Sequence, residues 1–197
     1  MNTSNLDPAP FEIKVVLVGY VSVGKTTVLN ALLGDKFSEV SMRRTTAGVS
    51  NFRLNTRTDS APQSGEFKGA QETLKTITED NETLRQQDVV EEKTFDIEIA
   101  EQLCEMRSDT RLTIVDIPGI NEAGASSKYR DYVIEKWHTF DCIVAVMDAR
   151  QGVNTEEQLG LLELIKDNCQ TIKEIPVIIL CNKVDESEDK EQQVLVS

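Results

Sequence analysis

The sequence predicts an α/β fold in three layers: a mostly parallel sheet with one antiparallel edge strand and an acidic helical insert. Three observations carry that expectation. Near-continuous apolar runs recur at 13–18, 142–147 and 176–181, as strands covered on both faces do. Stretches of helical composition alternate with them, which calls for parallel strands joined by crossover helices. The first apolar run also leads through Gly19-Tyr20-Val21-Ser22-Val23-Gly24-Lys25-Thr26 directly into a helix.

Residues 1–10 are polar with two prolines and read as a flexible lead-in, so the folded unit is expected over 11–197. After the first strand, Thr27 to Leu33 continues as helix and stops at Gly34. Residues 34–48 have no period and read as a long loop. Val49 to Leu54 alternates apolar and polar residues, as a half-exposed strand would. Asp59 to Gly69 is rich in Ser, Pro, Gly and Gln and opens an insert of about 59–93. From Gln71 to Val90 the insert is helix-forming, with a thin apolar stripe of Leu74, Ile77 and Leu84, so a largely exposed helix or helix pair is expected. Phe95 to Ile99 and Arg111 to Asp116 alternate and lie close in sequence, which predicts that these two strands pair antiparallel at an edge. Ser126 to Phe140 reads as a helix carrying Tyr132, Val133, Trp137 and Phe140 on one side. Cys142 to Met147 is expected to be a central buried strand. Thr155 caps a helix through Asn168, with Glu156 and Glu157 in its first turn. Pro176 to Cys181 is expected to be a further buried strand, and Val194-Leu195-Val196 the start of another.

The chemistry gathers at strand ends, where open α/β sheets bind ligands. Strand, Gly-x-x-x-x-Gly-Lys-Thr, helix is the pattern of a phosphate-binding loop, and with it of the P-loop NTPase fold. Gly19 and Gly24 let the loop wrap tightly, so that N–H groups through Ser22, Val23 and Thr27 face phosphate oxygens. The helix N-terminus adds unsatisfied donors. Lys25 can reach the β- and γ-phosphates, and the Thr26 hydroxyl can ligate Mg²⁺. Asp116-Ile117-Pro118-Gly119 places a carboxylate for the same ion, and the Gly119 N–H where it can sense the γ-phosphate. Thr45 or Thr46 in the long loop can close on the metal and the γ-phosphate. Thr46 is favoured because it lies nearer the strand at Val49. Asn182-Lys183-Val184-Asp185 selects the base. Guanine offers N1–H and an amino group side by side to one carboxylate, whereas adenine would leave Asp185 facing a lone pair. The expected ligands are GTP and GDP with Mg²⁺. An ATPase is disfavoured by the same tetrapeptide.

Composition narrows the partners. The net charge is −13, and residues 71–109 carry −8 of it, which argues against broad contact with nucleic acid or anionic lipid. The apolar runs are too short to insert into a bilayer, and the N-terminal residues lack the pattern of a signal peptide. Cys104, Cys142, Cys169 and Cys181 show no metal-ligand spacing, and Cys142 and Cys181 sit in runs expected to be buried. A cytoplasmic protein is expected, with any membrane recruitment left to other segments or partners. His138, the single histidine, has no nucleophile constellation around it and reads as structural or surface.

At these residues the chain resembles a Ras-like P-loop GTPase, and within that class the dynamin superfamily. The resemblance spans Phe11 to Asp185 and rests on the phosphate loop, Asp116 to Gly119 followed by apolar Ile120, the acidic insert, and Arg43-Arg44 ahead of Thr45-Thr46. It implies Mg²⁺-dependent GTP hydrolysis, a homodimer formed by GTP-bound domains across the nucleotide site, and a closing helix that would follow residue 197. The pattern departs at the catalytic water. Ras-like enzymes place a glutamine where this chain has Ile120, and dynamins place a Gln-Ser pair where it has Val21 and Ser22. Ser22, Arg43, Arg44, Lys25 and Thr46 are the residues left to assist hydrolysis, with a low basal rate that a dimer raises. The alternative is an interaction module that binds guanine nucleotide without hydrolysing it.

Overall fold

The computed structural model describes residues 11–34, 48–55, 72–77, 90–98, 110–121, 126–151 and 155–184. Expectations for the lead-in, the long loop after Gly34 that carries Arg43, Arg44, Thr45 and Thr46, most of the insert, Cys104 and the tail after Val184 lie outside the described residues. In chain order the elements are β1 (Phe11–Val18), α1 (Lys25–Leu33), β2 (Val49–Asn55), helix α2 over 72–77, and β3 (Glu92–Glu98). There follow β4 (Thr110–Asp116), α3 (Ser126–Lys136), β5 (Cys142–Asp148), α4 (Glu156–Thr171) and β6 (Val177–Asn182). Short 3₁₀ turns at Trp137–Thr139 and Ala149–Gln151 extend α3 and β5.

The described strands form one six-stranded sheet in the order β3-β2-β4-β1-β5-β6. Among the described strands only β2 and β4 pair antiparallel; the other neighbours are parallel. The period-two alternation of buried strands splits their side chains between two cores. On one face Val16 and Val18 of β1 and Ile143, Ala145 and Met147 of β5 pack with Trp137, Leu161, Leu164 and Ile165. On the other, Leu17 and Val144 and Val146 pack with Val28, Leu29 and Leu33 of α1, Phe52 of β2, Phe95 of β3 and Ile77 of α2. Three layers result, as the apolar runs require.

Three expectations change. The antiparallel partner of β4 is β2, not the strand around Phe95; β3 runs parallel to β2, with Phe52 opposite Phe95 and their rings 5.7 Å apart. Alternation tells which face of a strand is wet but not which strand lies beside it. The long segment between β2 and β3 supplies the crossover that a parallel pair needs. The run at 176–181 is not buried: Val177, Ile178 and Ile179 are 39%, 53% and 54% exposed, Cys181 is exposed and Cys142 half-buried. In the described sheet β6 is an outermost strand and pairs only with β5, so apolar composition is not matched by cover. The helix expected to reach Phe140 ends at Lys136 and tightens into a 3₁₀ turn. Trp137 and Phe140 still enter the core, while His138 faces solvent. No helix among the described residues is long and apolar enough to cross a membrane.

Candidate nucleotide-binding site

β1 ends at Val18 beside β5, and the loop that follows is built for backbone donors. Ser22 and Gly24 take φ of 64° and 97°. Left-handed residues in a tight loop turn successive N–H groups to one side, the concave arrangement that binds anions. For Ser22 the left-handed conformation is costly without a constraint, and such residues concentrate at ligand sites. Gly24 is favoured by its φ, which other residues rarely adopt, and a Cβ there would press on the Asn182 side-chain amide. α1 starts at the next residue, and Gly24, which has no side chain, supplies no cap to its first turn, where helix N–H groups favour an anion. Lys25, 7% exposed, curls over the loop and donates from Nζ to the carbonyls of Gly19 (3.1 Å) and Tyr20 (3.0 Å). Thr26 is half-buried and Thr27 exposed on the first turn.

β4 delivers Asp116 to the same cleft. Its carboxylate is 1% exposed, accepts from Thr26 Oγ1 at 3.4 Å through Oδ2, and among the described residues has no partner at Oδ1. Burial pushes its pKa up to about 6, against the pull of the Lys25 ammonium and the Thr26 hydroxyl. A buried, half-satisfied carboxylate beside a threonine hydroxyl is a donor set of hard oxygens suited to Mg²⁺. The residues present fit that ion.

The turn after Asp116 is pressed against the phosphate loop. A Cβ at Gly119 would lie 2.6 Å from the Val21 nitrogen, so only glycine permits this approach. Ile120 donates its N–H to the Gly19 carbonyl at 3.3 Å and buries its side chain with Tyr132 and Val133, away from the cleft. Asn121 completes the contact: Oδ1 accepts from the Val21 N–H (2.9 Å) and Nδ2 donates to Glu157 Oε1 (3.0 Å). Asn121 belongs to no motif of the sequence, and Glu157 is legible there only as a first-turn acid. A polar residue directly after a buried Ile120 was the available signal.

The base-side motif closes the cleft from β6. Asn182 donates from Nδ2 to the Val23 carbonyl at 3.0 Å. Lys183, with φ of 63°, donates from Nζ to the Ser22 carbonyl and to Asp148 Oδ2 at 2.8 Å. Asp148, at the end of β5, belongs to no motif either; nothing in its apolar run marks it except being the first charge after it. The structure thus brings Gly19, Ser22, Val23, Gly24, Lys25, Thr26, Asp116, Gly119, Asn182 and Lys183 to the carboxyl ends of β1, β4, β5 and β6. Arg43, Arg44, Thr46 and Asp185 lie outside the described residues.

A phosphate loop, a buried acid on the adjacent strand and an Asn-Lys motif at the end of β6, on a mixed sheet of six described strands, define a P-loop nucleotide-binding domain. Residues 15–184 match the family model described as "Dynamin family", and the chain belongs to that family. Among solved structures it is similar to the protein Era in complex with MgGDPNP and a segment of 16S ribosomal RNA (18% identity, TM-score 0.51). It is also similar to a variant of Aquifex aeolicus Era bound to GDP and AlF₄⁻ (17% identity, TM-score 0.48). Each alignment covers 94% of this chain but 45% of the other, so the chain spans less than half of the structures it matches. At that identity the first likeness concerns the fold alone. No curated protein matches in sequence.

Proposed function

We propose that this chain binds GTP and GDP with Mg²⁺ and hydrolyses GTP slowly. The observation that carries this reading is the linkage of two motifs distant in sequence: Asn182 and Lys183 hold the carbonyls of Val23 and Ser22. Base and phosphate ends of one nucleotide can then be met by a single rigid unit, with Asp185, two residues beyond Lys183, as the group that pairs with guanine. In this reading Lys25 leaves its loop carbonyls for the β- and γ-phosphates, Thr26 and Asp116 hold the metal, and Thr46 joins them when triphosphate is bound. Bound Mg²⁺ would neutralise charge on the phosphate oxygens. Arg43, Arg44 and Ser22 are the groups that could meet charge developing during hydrolysis.

Family membership supports a GTPase domain. The burial of Ile120, at 6% exposure, supports a low basal rate, since that side chain cannot orient water in the cleft. The proposal includes a nucleotide-dependent homodimer that orders the first switch, a single domain from residue 11 onward, and a cytoplasmic setting. RNA is the partner named for Era; the charge of −13 here disfavours one for this chain. The second reading, guanine-nucleotide binding without turnover, is favoured by the same Ile120 and by Val21 packed on Gly119.

Competition separates the ligands: unlabelled GTP should displace a labelled GTP analogue and ATP should not, and equal displacement would refute guanine selection. Single-turnover phosphate release, from dilute to concentrated protein, separates the two functions. Release that rises with protein concentration supports dimer-assisted hydrolysis, and none at any concentration supports the binding module.

A further inference from the structure

Asp148 lies outside every motif that names this site, yet it is the most heavily hydrogen-bonded carboxylate facing it. Parallel pairing sets the last residues of β5 and β6 side by side, Asp148 against Asn182, so the acid abuts the start of the base-side motif. It is 2% exposed. Oδ1 accepts from the Arg150 backbone N–H (3.1 Å) and from Arg150 Nε (3.0 Å). Oδ2 accepts from Arg150 NH2 (2.7 Å) and Lys183 Nζ (2.8 Å). The Asp148 carbonyl accepts from Gln158 Nε2 at 3.1 Å, and Gln158 is itself buried, at 3% exposure, on the first turn of α4. Each end of the residue is therefore held by a different element.

Lys183 is the residue this arrangement acts on. Its backbone is left-handed, which a lysine adopts only when its surroundings impose it. Its ammonium spans Asp148 and the Ser22 carbonyl of the phosphate loop, so the four-carbon stem is drawn across the mouth of the cleft. A free lysine stem samples many rotamers, and fixing it on ligand binding costs affinity. A buried ion pair by itself is weak support for stability. Here the carboxylate stays ionised because Arg150 and then Lys183 hold its pKa well below the usual range. One oxygen is committed to Arg150, and the other is shared with the lysine.

We propose that Asp148 is a positioning residue for base binding: it holds the Lys183 side chain in place, tied to the phosphate loop, before a purine nucleotide arrives. Arg150 keeps the carboxylate charged and oriented, and Gln158 fixes its backbone to α4. The inference rests on the GTP-binding reading above for its ligand, but the Asp148–Lys183 link can be tested without one.

The test uses the full chain as wild type, Asp148→Asn, Lys183→Ala and the double variant, each checked for folding by circular dichroism. In nucleotide-free protein, the rate of Lys183 acetylation by a succinimidyl acetate is read by mass spectrometry. Asp148→Asn should accelerate it severalfold while distant lysines are unchanged; an unchanged Lys183 rate overturns the inference. Calorimetric titration with GDP and with GTP then reads the consequence. Asp148→Asn should weaken both by the same factor, roughly tenfold for loss of a hydrogen bond to a charged group. The double variant should bind no more weakly than Lys183→Ala alone, because Asp148 acts through Lys183. Unchanged affinity, or losses that add in full, overturns the positioning role. Should Asp148→Asn fail to fold, Asp148→Ser is read in the same way. A wild-type chain that binds neither nucleotide refutes the GTP-binding reading, while the acetylation result still decides whether Asp148 holds Lys183.

Discussion

Two carboxylates, Asp116 and Asp148, end parallel neighbours of β1, and both are almost wholly buried, at 1% and 2% exposure. Their pKa values are shifted in opposite directions. Asp116 is pushed up to about 6 by burial, with a threonine hydroxyl at one oxygen and, among the described residues, no partner at the other. Asp148 is held well below the usual carboxylate range by Arg150 and Lys183. Burial is common to the two, but among the described residues only Asp148 takes hydrogen bonds from cations, Lys25 acting on Asp116 through its charge alone. The protein satisfies Asp148 with its own charges, so that carboxylate belongs to the framework of the site. It leaves Asp116 half satisfied, the condition of a group whose partner is a ligand. A hard cation against the free oxygen would reverse the effect of burial there.

The contrast can be sharpened by substitution. The largest effect is expected from Lys25→Ala, which removes the cation facing both the phosphate path and Asp116. GTP affinity should fall about a hundredfold or more, as loss of a charge-assisted contact to phosphate implies. Circular dichroism should be preserved. Unchanged affinity in a titration with GTP would remove Lys25 from the phosphate site.

Asp148→Ala should come next. It leaves Arg150 and Lys183 without their shared acceptor and should cost about 2 kcal/mol in urea unfolding, in the range for hydrogen bonds to charged groups. A change within experimental error would place Asp148 and Asp116 in the same class and break the comparison.

Asp116→Asn should act in the opposite sense. In nucleotide-free, Mg²⁺-free protein it removes an imperfectly compensated buried charge, and stability should rise by about 1 kcal/mol. The gain in GTP affinity from added Mg²⁺ should disappear in the same variant. A destabilised Asp116→Asn protein would show that the carboxylate is already satisfied without a ligand.

The smallest effect is the acid limb of stability. Asp148 has a folded-state pKa below its unfolded value, so its contribution is complete above the ordinary carboxylate pKa and is lost as pH falls through and below that range. Asp116 is raised, so it binds a proton more tightly when folded and opposes that loss as pH falls from about 6. Asp148→Asn should therefore flatten the decline in thermal stability below about pH 4, the unperturbed carboxylate range. An identical decline in wild type and variant would contradict the assignment.

Asp116 and Asp148 also differ in how far the sequence alone marks them. Asp116 could be found in the sequence because Asp-Ile-Pro-Gly follows a strand and stands behind a phosphate loop. Asp148 could not, because a lone acid after an apolar run has many uses, and its partner Lys183 is 35 residues away. The same holds for Asn121, whose acceptor oxygen meets Val21 across 100 residues.

What the sequence determined by itself is local and periodic. The phosphate loop, the turn at Gly119, the Asn182-Lys183 motif, the Thr155 cap and the two-faced strands all follow from spacing and residue type within a few positions. Thr155 Oγ1 accepts from the Gln158 N–H, as a cap should. Only the tertiary structure decided which strand lies beside which: that β2, not β3, pairs with β4, and that β6 carries exposed isoleucines at the outside of the described sheet. The physical reason is that alternation and apolar runs encode which faces of an element are to be covered, whereas neighbours are chosen by crossover length, register and the packing of the whole sheet. The sign of a buried carboxylate's pKa shift is decided at that same level, because it depends on which cations the fold carries to it.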